Sequence, residues 1–183
     1  DYKEEFDPTG DNWKVRRSWL ELTKDVMALA NTSGGYLVFG VKDDDYSVVG
    51  VSEPTVKHLD EVKEVLEKLN RYVAPDFTGI RTKAVEHEGP PVVIMYVPET
   101  KGATHIVVKE GQFEYPSGKP IVVLRPGDIY VRRTGTNKII TPEGFEQIVE
   151  KRIDYYKDQL LDRVVKESER VKRVSLGQGS TEE

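Results

Sequence analysis

Ala28-Leu29-Ala30-Asn31-Thr32-Ser33-Gly34-Gly35-Tyr36-Leu37-Val38-Phe39-Gly40-Val41-Lys42-Asp43-Asp44 contains, in one run, the end of a helix, a reversal and a strand. Upstream of it, Trp19, Leu20, Val26, Met27, Leu29 and Ala30 recur at three- and four-residue steps. That period predicts an amphipathic helix, with Arg16, Arg17, Lys24 and Asp25 mainly on its other faces. Gly34-Gly35 ends the helix, because glycine takes the positive φ that a helix closure and a sharp turn require. The short aromatic and branched run from Tyr36 to Val41 reads as a buried central strand. Lys42-Asp43-Asp44-Asp45 is a turn, after which Val48-Val49-Gly50-Val51 is expected to pair back as a hairpin partner.

Working outward, Pro8-Thr9-Gly10-Asp11-Asn12 reads as a turn in which Asp11 or Asn12 caps the first helix. A second helix is expected from about Thr55 to Tyr72, burying Val56, Leu59, Val62, Val65, Leu66 and Leu69 before Ala74-Pro75 stops it. Phe77 to Val85 and Val92 to Val97 have strand composition and form an antiparallel pair around the turn His87-Glu88-Gly89-Pro90. Residues 99–120 are rich in Gly, Pro and charge around a short strand at His105 to Val108, and form the expected mobile region. Ile121 to Leu124 and Asp128 to Arg132 flank Pro126-Gly127 and predict another hairpin. Thr141-Pro142-Glu143-Gly144 starts a last helix, whose stripe Phe145, Val149, Ile153, Tyr156, Leu160, Val164 and Val171 is longer than one sheet needs. Its first half is expected to pack on that sheet, with Tyr156 in the core. The fold class is α/β, with a mixed, mainly antiparallel sheet, packed helices and a long C-terminal helix. Residues 1–150 form the domain, 151–174 an extended helix for linking or oligomerisation, and 175–183 a flexible tail.

Composition narrows the function. The 183 residues, 37% hydrophobic and 32% charged, suit one core with a well-solvated surface. Val92 to Val97 is among the longest apolar runs and falls far short of the roughly 20 residues of a membrane span. The opening Asp1-Tyr2-Lys3-Glu4-Glu5 has neither a basic nor an apolar signal region, so a cytoplasmic location is expected. The absence of cysteine excludes disulfides, thiolate zinc sites and thiol nucleophiles. His58, His87 and His105 follow no metal-ligand spacing and are expected on the surface. A net charge of −5 is the wrong sign for binding phosphate backbones through bulk charge, so a local basic patch must do it. Its candidates are Arg16, Arg17, Arg132, Arg133 and Lys138, with Lys3 and Lys14. Strand alternation sends Arg132 and Arg133 to opposite faces. Asn31 to Gly35 is not a phosphate loop, because its glycines close a helix and open a strand. Asn31 and Thr32 are expected to bond nearby backbone. On the residues alone, Asp43-Asp44-Asp45 reads as a solvated turn.

The quoted run resembles the A-x-A-N-T-x-G-G-x-[apolar]3-G-V-x-D pattern of Schlafen-type AlbA-like domains, also called divergent AAA or DNA-binding domains. Asp1-Tyr2-Lys3 resembles the acidic-aromatic-lysine opening of that family, and Ile129-Tyr130-Val131-Arg132-Arg133-Thr134-Gly135 resembles its late arginine strand. Together these segments cover nearly the whole chain up to the long helix, and the chain, which does not begin with Met, is expected to be a domain cut from a longer protein. The resemblance implies a nucleic-acid-binding module, for RNA or single-stranded DNA, of a regulatory or defence protein. It implies ATP binding for some members and metal-dependent ribonuclease activity for others. In the nuclease members two glutamates near the start and an aspartate after the G-V-x strand hold a divalent metal. Carried over, Asp43 matches the aspartate, Asp1 the second glutamate and Lys3 the lysine, while the first glutamate falls before residue 1. The implied catalytic residues are therefore Asp1, Lys3 and Asp43, and the implied ligands of Mg²⁺ or Mn²⁺ are Asp1 and Asp43. The resemblance places Arg132 in the matched arginine slot. A competing register through Glu5-Phe6-Asp7 loses the lysine. A second class of function is a catalytically silent interaction module that forms a homo-oligomer through the long helix or contacts adjoining domains.

Overall fold

The computed structural model describes residues 1–4, 6–86 and 89–177. The expected turn at His87-Glu88, the register through Glu5 and the tail from residue 178 lie outside these. The chain opens with a two-residue strand, β1 (Tyr2–Lys3). In the loop that follows, the Asp7 carboxylate accepts hydrogen bonds from the backbone N–H groups of Thr9 and Gly10, which turns the chain into the first helix. That helix, α1 (Asn12–Ala30), begins after Asp11, but the Asp11 side chain caps nothing. Its carboxylate faces Lys14 at 3.8 Å instead. Trp19, Leu20, Val26, Met27, Leu29 and Ala30 are all buried, as their period requires. Asp25 corrects the expected solvent-facing set: only 4% exposed, it lies on the buried face. Gly34 closes the helix at φ 66, and its N–H donates to the Leu29 carbonyl at 2.9 Å. A Cβ there would fall 2.7 Å from the Val97 carbonyl oxygen, so only glycine fits.

Next come β2 (Gly35–Phe39), α2 (Glu53–Asp60), α3 (Val62–Leu69), β3 (Val73–Ala74), β4 (Arg81–Val85) and β5 (Val92–Val97). The main sheet has the order β1-β2-β5-β4, parallel between β1 and β2 and antiparallel elsewhere. Leu37, Phe39, Val93, Met95 and Val97 point into one core with residues of α1, Leu59 of α2, and Val65 and Leu69 of α3. β2 is thus central, as its composition predicts, but it is buried on one face only: Tyr36 is 58% exposed. The expected continuous helix from Thr55 to Tyr72 is two helices, broken at Glu61, whose ψ of 81° leaves the helical region. The Ser52 side chain accepts from the Thr55 N–H and moves the start back to Glu53.

The segment Val48 to Val51 is not a strand. It makes a single bridge, Val41 with Val48, and the N–H groups of Val49 and Gly50 both donate to the Gly40 carbonyl. Gly40 and Gly50, at φ 92 and 71, pass so close that a Cβ on Gly40 would sit 2.7 Å from the Gly50 carbonyl carbon. A crossing of this kind leaves no room for a ladder.

The remaining strands are β6 (Ile106–Val107), β7 (Gly111–Glu114), β8 (Pro120–Leu124), β9 (Tyr130–Arg133) and β10 (Thr136–Ile139). They pair as β3-β6, β7-β8 and β9-β10. The expected hairpin between 121–124 and 128–132 is therefore corrected: Pro126-Gly127 turns the chain, with the Asp128 N–H donating to Arg125 at 3.0 Å, but each flanking strand takes another partner. β9 turns instead into β10 through Thr134-Gly135, both at positive φ (49 and 75), the two-residue connection whose twist matches that of a hairpin. Residues 99–120 contain β6 and β7, and His105, expected on the surface, is 1% exposed.

The chain divides at Thr141 into two units. The second contains α4 (Pro142–Gly177), which starts at the proline the sequence points to. Its stripe is exposed from Phe145 to Val171, and Tyr156, at 56%, is not a core residue. The fold is mixed α/β with mainly antiparallel pairing and a long C-terminal helix. No helix among the described residues is long and apolar enough to cross a membrane.

Candidate functional site

Lys3 occupies the strand position opposite Phe39 and shares its inward side, which carries the ammonium under α1. There its Nζ lies 2.8 Å from Asp25 Oδ2 and 3.6 Å from Asp1 Oδ2. Arg132 approaches from β9: one guanidinium nitrogen reaches Asp1 Oδ1 at 2.8 Å and the other donates to Asn137 Oδ1 at 2.9 Å. The Asn137 amide closes the ring by donating to Asp25 Oδ1. Asp1, Arg132, Asn137, Asp25 and Lys3 thus join β1, α1, β9 and β10 through one connected set of charge-assisted bonds. The Asp25 and Asp1 side chains are only 6% and 14% exposed, so the set is largely screened from solvent.

The Asn31-Thr32 pair positions this ring. Thr32 Oγ1 donates to the Ala28 carbonyl at 2.7 Å and accepts from the Arg132 N–H at 2.8 Å, setting the height of β9 against the helix end. Asn31 bonds remote rather than nearby backbone. Its amide donates to the carbonyls of His105 and Tyr130 at 3.0 Å, and its oxygen accepts from the His105 N–H at 2.8 Å. The His105 ring is held in turn between the Pro75 carbonyl and Thr100 Oγ1.

Asp43 is exposed on the turn after β2. In that turn the Ser47 side chain and backbone hold the Asp45 carboxyl below its usual range. Among the described residues no group of three or more acids or histidines is placed to hold a metal ion. Asp1 is engaged by Arg132 and Lys3.

The cations singled out in the sequence fall into separate groups. The Arg132 guanidinium is committed to Asp1 and Asn137. Arg133 and Lys138 are exposed on the opposite face of the β9-β10 hairpin. Arg17, with Lys14, rims an open cavity of about 660 Å³ floored by Phe6, Trp13 and Phe39 that reaches Lys3 and Asp25. Arg16 borders a smaller one against Phe113. Asp25 and Asn137 escaped the sequence reading. A carboxylate three residues after Leu22 and four before Leu29, inside an apolar stripe, was the available signal for Asp25.

A family model described as Schlafen, AlbA_2 matches residues 1–141. Over 150 residues the chain is 26% identical to an uncharacterized ATP-binding protein of Ureaplasma parvum, an alignment covering 75% of this chain and 39% of that protein. The crystal structure of a Corynebacterium diphtheriae protein shares the fold, with a TM-score of 0.50 at 15% identity, covering 80% of this chain and 23% of that one. The N-terminal domain of an ATP-dependent DNA helicase RecG-related protein from Nitrosomonas europaea matches with a TM-score of 0.36 at 18% identity, over 66% of this chain and 74% of that domain. The chain spans about two fifths of the length of the curated relative.

Proposed function

The chain belongs to the Schlafen AlbA_2 family, and from that premise we propose that it is a nucleic-acid-binding module of a larger regulatory or defence protein, taking RNA or single-stranded DNA. The observation that carries this is the β9-β10 hairpin. Arg132 and Asn137 anchor its inner face in the ring, while Arg133 and Lys138 stand exposed on the outer face, and neither enters an ion pair among the described residues. Cations displayed in this way add affinity for phosphates without reading sequence, and they offset a net charge of the wrong sign. The test is titration of labelled RNA and single-stranded DNA with the chain at rising salt. Salt-sensitive binding that weakens in Arg133→Ala and Lys138→Ala supports the reading, and no binding at low salt overturns it.

Metal-dependent phosphodiester cleavage extends this reading. Its support is the resemblance, together with the exposed position of Asp43 on the turn after β2. Incubating the full-length parent with RNA and Mn²⁺ beside its Asp43→Ala variant tests it: cleavage lost in the variant supports it, and no cleavage by the parent sinks it. The name of the Ureaplasma relative favours nucleotide binding. A rise in melting temperature with ATP and Mg²⁺ would support that alternative. Assembly through α4 is supported by its exposed stripe, from Val149 at 37% to Leu160 at 62%. Molar mass in solution tests it.

A further inference from the structure

The outer side of the main sheet is a second surface. Leu37, Phe39, Val93 and Met95 face the core, so the residues alternating with them project the other way. Tyr36 lies opposite Tyr96, and Tyr96 opposite Arg81; in the next row Val38 lies opposite Tyr2 and Ile94, and Ile94 opposite Lys83. The Tyr36 and Tyr96 rings are 5.2 Å apart. Tyr46, in the turn after β2, sits edge-on against Tyr2 at 5.3 Å. Its φ of 58 is a conformation that bulky residues avoid, and its ring is 65% exposed.

We propose that this open face is a stacking platform for single-stranded nucleic acid. Bases lie on the paired tyrosines, and phosphates pass Arg81 and Lys83 on the edge strand β4. The proposal rests on the nucleic-acid-binding reading but assigns binding to a surface separate from the hairpin cations. Core packing does not account for these rings, which lie outside the buried cluster and leave their faces partly open to solvent. Tyrosine offers a flat π-face while its hydroxyl stays hydrated, which suits a surface that must be wet when empty and stacked when filled. The four strands span roughly 14 Å, the reach of two or three bases. Stacking favours every base, so the expected binding tolerates sequence.

The experiment is fluorescence anisotropy of labelled oligo(U) and oligo(dT) with the 183-residue chain, with thermal unfolding as the fold control. Tyr36→Ala and Tyr96→Ala should each weaken binding on the order of tenfold. Tyr36→Phe should keep it. Arg81→Glu, at an exposed edge position, should weaken binding and keeps the test open if an alanine variant unfolds. Unchanged affinity in folded Tyr36→Ala, Tyr96→Ala and Arg81→Glu, with loss confined to Arg133→Ala and Lys138→Ala, would overturn the platform and leave the module reading standing. No binding by the unaltered chain overturns both. A self-associated species that Tyr36→Ala dissociates would make the face a protein interface and defeat the proposal.

Discussion

Lys3 and Asp25 meet at 2.8 Å, a strand ammonium against a carboxylate on the buried face of α1. Asp25 also accepts from Asn137, so its removal leaves an ammonium and an amide short of a partner. Asp25→Ala should lower stability by about 2–3 kcal/mol, below the full cost of a broken buried pair because Lys3 keeps some access to water. Urea unfolding of Asp25→Ala, Lys3→Ala and the double variant checks this. The double variant should lose less than the sum of the two, since both act on one bond.

Asn31 is expected to behave as a tertiary clamp. Its three bonds reach backbone 74 and 99 positions away. Asn31→Ala leaves buried carbonyls and an N–H unsatisfied and should cost about 2–4 kcal/mol. Asn31→Asp keeps the acceptor for the His105 N–H but sets a carboxylate against two carbonyls, and it should be no better than alanine. Chemical denaturation of both variants, with hydrogen exchange at His105, reads the outcome.

Tyr130 gives the chain an alkaline limit. Its hydroxyl lies 3.0 Å from the Val123 carbonyl and 3.2 Å from the Asp128 carboxylate. Burial first, then the Asp128 charge, push it from the ordinary 10.0 to about 12. A raised acid pKa means that the folded state holds the proton more tightly. The stabilisation is therefore whole below the ordinary value and lost as pH rises through the upper one. Melting temperatures measured across that window should fall less steeply for Tyr130→Phe, which should already be weaker by about 1 kcal/mol at neutral pH.

The hairpin cations should act through counterion release. Each of Arg133→Ala and Lys138→Ala is expected to reduce the slope of log affinity against log salt by about 0.7 on single strands, leaving sequence preference unchanged. Equal slopes for variant and unaltered chains would remove these residues from the interface.

Much of the local structure was legible in the chain. The apolar period of α1, its closure at Gly34, the pairing of β4 with β5 and the proline that begins α4 each depend on side-chain spacing and backbone freedom within a few residues. Where glycines crossed or a turn competed, as at Gly40 with Gly50 and at Thr134-Gly135, strand partners were misassigned, because composition names a strand without naming its neighbour.

By itself, then, the sequence determined the fold class, the family and the identity of most elements, since periodicity, capping and glycine placement act over short distances. Only the tertiary structure decided that Asp25 turns inward to Lys3, that Asn31 holds His105 and Tyr130, that Arg132 is spent on Asp1 and Asn137, and that Tyr36 and Tyr96 share an uncovered face. Those facts depend on which distant segments arrive at the same place and which side of a sheet the helices cover. Neither is encoded in the spacing of neighbouring residues.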